Sequence, residues 1–285
     1  MDWLDIFCKV HESFQFEFKE SKLIVALNKT NKFGLSIGSC PRFTPYNAII
    51  IHPDTLISSS VKYNLELNLY NKFLTHSFNY IRVQLKFPTS FLSLPRISNK
   101  RIDSRLAFTE VLDFPINIDS HWNSLSSEIR NDILFARNNS SIKEVGLDSE
   151  TIQFLLLNPY YAYSDLKESE LRNAYNYLSK TNSIKIFVLA QSDQVKACTV
   201  FIRSGDCWYF WLNNIQKDKN IRGMNLAIIW EGIKLAADSN CSFNFDGSNK
   251  LEISKIFKSL GSKTIVYPNN YILKNSFFGF ISKLR

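Results

Sequence analysis

The chain has 285 residues, of which 45% are apolar and 14% aromatic, enough to bury one large core or two small ones, so a disordered chain is excluded as the default. No apolar run approaches the roughly 20 residues that span a bilayer, and the opening Met1-Asp2-Trp3-Leu4-Asp5 is acidic and lacks a signal-peptide pattern, so the expected location is cytoplasmic. A formal charge of +8 points to a phosphate-bearing partner such as CoA, a nucleotide-sugar, tRNA or an anionic membrane surface, with ordinary solubility charge as the plainer alternative; no DNA partner is expected.

Residues 1 to about 115 are expected to form a first α/β unit. Residues 23–27, 33–37 and 48–51 are strand-like, and Val61, Leu65, Leu69 and Phe73 recur at helical spacing. Residues 80–85 alternate as a further strand. The stretches 88–90 and 95–101 are polar, proline-bearing and expected to be exposed loop. A single helix over residues 120–138 is then expected to join this unit to a second one spanning 116–285. It would bury Trp122, Leu125, Ile129, Ile133 and Ala136, and Arg130 and Arg137 lie two turns apart on its polar face. Such a pair reaches a phosphate or carboxylate, or else is solvated with one member paired to Glu128.

The second half repeats the order strand, strand, strand, helix, strand. Residues 184–189 and 197–203 are apolar strands, and Ser204-Gly205-Asp206 turns into a third, 207–212. That strand is nearly all aromatic, and alternation sets Trp208 and Phe210 on one face, Tyr209 and Trp211 on the other. One face is expected to be core; the other is core as well or is open to a substrate. The loop Gln216-Lys217-Asp218-Lys219-Asn220-Ile221-Arg222-Gly223 carries basic residues into a helix over 225–238, whose unpaired N–H groups and dipole favour an anion. A solvated basic turn is the plainer reading. A strand over 242–246 leads into a helix over 250–260, with Asn249 and Glu252 placed as a capping box, Ile253, Ile256, Phe257 and Leu260 as its buried stripe, and Gly261 as its stop. Asn213 and Asp246 thus fall at the carboxyl-end edge of two parallel strands, where open α/β sheets bind ligands.

Phe243-Asn244-Phe245-Asp246-Gly247-Ser248, then Phe257-Lys258-Ser259-Leu260-Gly261, then Tyr267 in a last strand resemble the FemAB/FemX-like branch of the GNAT acyltransferase superfamily. The spacing Trp122, Leu125, Arg130, Ile133, Ala136 resembles the helix that joins the two halves of such proteins, and Pro41-Arg42-Phe43-Thr44-Pro45-Tyr46 is a further match. The resemblance implies two tandem GNAT-like units with mixed sheets flanked by helices. The N-terminal unit, which lacks an acidic Gly-Ser strand end, would be a degenerate copy. It also implies N-acyl transfer to an amine, such as an amino-sugar or another cell-envelope or polysaccharide precursor. Acyl-CoA, acetyl-CoA among its forms, would be the co-substrate, with no tightly bound cofactor and no metal. In this branch some members resemble CoA-dependent acetyltransferases and others use aminoacyl-tRNA, so tRNA as donor carrier is the alternative. A third reading is a GNAT-like module that binds without catalysis. Two departures bear on the choice: Asn244 stands where similar sequences often carry Asp, and no full (Arg/Gln)-x-x-Gly-x-(Gly/Ala) loop precedes the helix at 225.

In an acyl transfer a carboxylate takes the amine proton, and Asp246 is the candidate; its alternative is to hold the Gly247-Ser248 turn. A main-chain N–H near Trp211 to Asn213 would stabilise the oxyanion. Lys219, Arg222, Gly223 and Asn213 are expected at the donor, and Tyr209, Trp211, Ser248 and Lys258 at the substrate, joined through the resemblance alone by Tyr46, Arg130 and Tyr267. The five cysteines and four histidines form no ligand spacing and are expected to be reduced and structural. Cys198 and Cys207 lie on adjacent strands, but a turn at 204–205 would set 198 opposite 211. From residue 250 onward seven Lys or Arg stand against one acid, Glu252, and the aromatic, basic end 277–285 is suited to packing on the domain or to weak membrane-surface contact.

Overall fold

The computed structural model describes residues 12–32, 35–40, 46, 48–52, 58–76, 80–87, 102–158, 167–216, 222–246 and 250–273. In chain order the strands are β1 (Glu12–Phe18), β2 (Ser21–Lys32), β3 (Leu35–Ser39), β4 (Ala48–Ile51), β5 (Arg82–Lys86), β6 (Ile102–Leu112), β7 (Ser141–Val145), β8 (Ile184–Gln191), β9 (Gln194–Ser204), β10 (Cys207–Ile215), β11 (Ser242–Asn244) and β12 (Lys263–Leu273). The α-helices are α1 (Ser59–Thr75), α2 (Ile118–Ser124), α3 (Ser127–Asn139), α4 (Ser149–Leu156), α5 (Glu168–Leu178), α6 (Met224–Asp238) and α7 (Leu251–Ser259). They form two compact units, a C-terminal unit over 108–265 and an N-terminal unit over 4–107 with 266–285. The division therefore differs from the expected 1–115 and 116–285. The far half of β12 returns to pair with β5, Asn270 opposite Leu85 and Ile272 opposite Val83, which assigns the strand from Val266 onward to the N-terminal unit.

In the N-terminal unit the strand order is β1-β2-β3-β5-β12-β6, with β4 pairing β2 on the side. Leu23, Val25 and Leu27 alternate inward from β2 and meet Leu69, Tyr70 and Phe73 of α1. Ser58 starts that helix by accepting the Val61 N–H at 3.4 Å. Strand β1 adds Phe14, Phe16 and Phe18 to the edge of the same core.

The C-terminal unit has the order β6-β11-β10-β9-β8-β7, antiparallel except for β10 with β11. Helix α6 packs on β8 to β11 and on α3, burying residues on nearly every side. Gly232 is required there, because a Cβ on it would lie 2.3 Å from Cε1 of Phe201. The expected joining helix is two helices, α2 and α3. The chain leaves helical geometry at Leu125 and Ser126, and the Ser126 hydroxyl accepts the Ile129 N–H to start α3. Leu125, Ile133 and Ala136 are buried as expected, and Trp122 and Ile129 pack against the core half-buried. Arg137 pairs with Glu231 of α6 at 3.0 Å rather than with Glu128. Helix α7 begins at Leu251 with Lys250 at its cap and no side-chain cap bond, while Asn249 lies outside the described residues. Its inner stripe also differs: Ile256 is exposed and Ser254 is buried. The β9–β10 turn pairs Ser204 with Cys207, so Cys198 faces Asn214, not 211.

His121 stacks flat on Trp230, ring centroids 5.8 Å apart, and burial pushes its pKa below the ordinary histidine value. The neutral ring is thus the folded form. Its contribution to stability is full above the unfolded-state pKa and is lost as pH falls through the folded one. Two measurements follow. Gly232→Ala lowers stability by about 1–3 kcal/mol in urea unfolding, and the stability lost between neutral and mildly acid pH is smaller in His121→Phe than in the native chain.

Candidate functional site

Strands β10 and β11 run parallel for three residues, Cys207 to Tyr209 beside Ser242 to Asn244, and then β11 ends while β10 continues to Ile215. On its other edge β10 keeps β9 as neighbour, but the register passes from Phe210 opposite Phe201 to Leu212 opposite Val200, a bulge at Trp211. The Gln216 N–H donates to the Lys196 carbonyl at 2.8 Å, and the antiparallel alternation then turns the main-chain groups of Leu212 and Asn214 towards β9. Those of Asn213 point to the opposite edge, the side that β11 has left. Two carboxamides anchor this end of the strand: Asn158 donates to the Asn213 carbonyl at 2.8 Å, and Asn214 donates to the Phe154 carbonyl at 2.6 Å. Trp208 and Phe210 face the α6 core, as expected; Tyr209 is buried and Trp211 half-buried.

At the end of β11, buried Asn244 accepts from the Thr109 hydroxyl at 2.7 Å and from the Asp246 N–H at 2.9 Å. The second bond is an Asx turn, and it holds Asp246 at φ +41°, in the left-handed region that Asp tolerates better than most residues. An Asp at 244 would accept from the same two donors, so Asn keeps the connectivity and removes a charge beside Asp246. Beneath this strand end lies a group that the sequence reading missed. Glu110 of β6 is fully buried, its carboxyl oxygens accept from Ser254 at 2.7 Å, Thr264 at 2.9 Å and Ser262 at 3.1 Å, and its carbonyl accepts the Phe245 N–H at 2.9 Å.

Arg222 and Gly223, at the start of α6, are held against α3. The Arg222 Nε lies 3.0 Å from Asp132 Oδ1 and its guanidinium 5.2 Å from the Phe135 ring centroid. Gly223 has φ +75°, and a Cβ there would sit 2.2 Å from the Asp132 carbonyl oxygen. Of the expected site residues, Asp246, Tyr209, Trp211 and Asn213 fall on the two strand ends. Arg222 is engaged by Asp132, Arg130 is half-buried on α3, and Lys258 is exposed on the last turn of α7. Tyr46 and Tyr267 are buried in the N-terminal unit, where Lys86 Nζ lies 5.6 Å from the Tyr267 ring. Lys219 and Ser248 lie outside the described residues.

Burial pushes the thiols of Cys198 and Cys207 up to about 12, so neither is a thiolate at neutral pH, and the described cysteines are unbridged. Among the described residues no cluster of His, Cys, Asp or Glu is placed to hold a metal, and no helix is long and apolar enough to cross a membrane. Replacing Glu110 by Ala takes the acceptor from the buried Ser254 hydroxyl and from the hydroxyls of Ser262 and Thr264, and is expected to cost roughly 3 kcal/mol in urea unfolding, with Glu110→Gln, which keeps one acceptor oxygen, costing distinctly less.

No protein-family model matches the chain, and no curated protein sequence matches it. Solved structures do. FemX superposes with a TM-score of 0.67 at 10% identity, over 98% of this chain and 92% of its own. A C-terminal DUF2156 domain from Agrobacterium fabrum, assigned to a lysylphosphatidylglycerol synthetase, gives 0.58 at 9% identity over 100% and 91%. L-PGS from Bacillus licheniformis gives 0.52 at 9% identity over 99% and 94%. The chain has the fold of FemX, with two α/β units, as its strand-end motifs led us to expect.

Proposed function

We propose that the chain transfers an aminoacyl group from an activated ester to an amine, at the strand ends where β10 and β11 part. The observation that carries this reading is Asp246, held by the Asn244 turn at the point where β11 stops and the bulged edge of β10 runs on. In this reading a main-chain N–H of the Trp211–Asn213 stretch polarises the acyl carbonyl. The neutral amine attacks, the C–N bond forms, and Asp246 takes the amine proton directly or through water. The ester C–O bond then breaks, its electron pair going to the leaving hydroxyl oxygen, which is protonated. The likeness in fold to FemX and to proteins named for a lysyl product supports acyl or aminoacyl transfer as the reaction class.

Acyl-CoA is the second donor, with a C–S bond breaking at the same centre. Against it stand the loop before α6, whose single glycine is packed on the Asp132 carbonyl, and Arg222, already paired with Asp132. A pyrophosphate cradle of main-chain N–H groups needs more open glycines than this. The proposed acceptor is an amine of the amino-sugar or nucleotide-sugar class.

Donor binding decides between the two. Filter retention is expected to show aminoacyl-tRNA held in preference to deacylated tRNA, with no saturable heat from CoA at millimolar concentration. Saturable CoA binding without aminoacyl preference would restore the thioester donor. On an amine that is accepted, Asp246→Asn is expected to lower kcat by about 100-fold or more with donor binding retained.

A further inference from the structure

The N-terminal sheet has one face on α1 and another that is polar. Val83, Leu85 and Ile272 enter the α1 core, so alternation turns Arg82, Gln84 and Lys86 of β5, and Asn269 and Tyr271 of β12, to the other side. There the Tyr271 ring lies between two guanidinium groups, Arg82 at 4.3 Å and Arg105 of β6 at 5.0 Å from its centroid. Arg105 is tied to Asp103 at 3.0 Å. Arg82 has no acidic partner among the described residues, and its Nε is buried without a hydrogen bond.

The hydrogen bonds of this face run in one direction. The Cys40 N–H donates to Gln84 Oε1 at 3.3 Å. Gln84 Nε2 donates to Asn269 Oδ1 at 3.1 Å and to the Tyr271 hydroxyl oxygen at 3.4 Å, and Asn269 Nδ2 donates to that same oxygen at 3.2 Å. Tyr271 thus accepts twice, its own O–H makes no hydrogen bond among the described residues, and the guanidinium of Arg82 lies over its ring. A half-buried cation with no counter-charge among the described residues, close to a hydroxyl that can still donate, is matched by an oxyanion, and planar guanidinium groups fit phosphate oxygens well.

We propose that this face of the N-terminal unit binds a phosphate or pyrophosphate group, with Arg82 and the Tyr271 hydroxyl as its direct donors and Arg105 as a second charge held by Asp103. The site stands whether or not the C-terminal unit transfers acyl groups, and its test reads binding alone. Calorimetric titration of the full chain with inorganic pyrophosphate is expected to saturate. Arg82→Gln should weaken that binding about tenfold or more, Arg82→Lys should weaken it less, and Arg172→Gln, on the surface of α5, should leave it unchanged. If the phosphate is lipid-borne, pyrophosphate gives no saturation, and the chain pellets with vesicles containing phosphatidylglycerol but not with phosphatidylcholine alone, again dependent on Arg82. Binding that is absent from both arms, or equal in the folded Arg82→Gln and native chains, overturns the proposal.

Discussion

The buried carboxyl group of Glu110 is the constraint around which the C-terminal unit is arranged. A carboxyl taken out of water without donors costs several kcal/mol, so the chain must bring donors to it. Here they come from Ser254 on α7 and from Ser262 and Thr264, where the chain leaves α7 and enters β12. That requirement explains why α7 turns a serine inward at a place where its apolar spacing offers Ile256. The main chain of the same residue receives the Phe245 N–H, so one residue of β6 fixes the helix, the start of the following strand and the end of β11.

The candidate chemistry depends on that anchoring. Asp246 sits one residue beyond Phe245, in a left-handed backbone conformation that its Asn244 bond helps to sustain. Across from it, β10 is bulged at Trp211 and pinned at Asn213 and Asn214 by residues at the end of α4. A site that aims a carboxylate and a strand edge at one acyl carbon needs both ends held, and each is held by hydrogen bonds from outside its own strand. The α6 start is held differently, by an ion pair and a glycine contact to α3, which uses the groups an anion cradle would need.

Much of the fold was legible because apolar side chains set the period. Strand β4 and helices α1, α6 and α7 stand within a few residues of their expected positions. The elements that were not read carry polar residues inside the pattern. Strand β6 has Asp103, Arg105 and Glu110 along it, and charges in a strand argue for loop until their partners are known. Strand β1 differs from these, since Phe14, Phe16 and Phe18 alternate with polar residues in a plain period of two. The candidate site was legible only in part. Asp246, Tyr209, Trp211 and Asn213 follow from strand-end position, but Glu110 and Asn158 act through contacts far away in sequence, which no local period encodes. Asn244, read as a departure, is a junction because its acceptor oxygen serves two donors.

Whether Glu110 holds the strand end that carries Asp246 is measured most directly by amide hydrogen exchange in the native chain and in Glu110→Gln. The account predicts faster exchange confined to Phe245, Asp246, α7 and the first residues of β12, with β8 and β9 unchanged. Exchange that is unaltered at Phe245 and Asp246, or raised evenly across the unit, would contradict it.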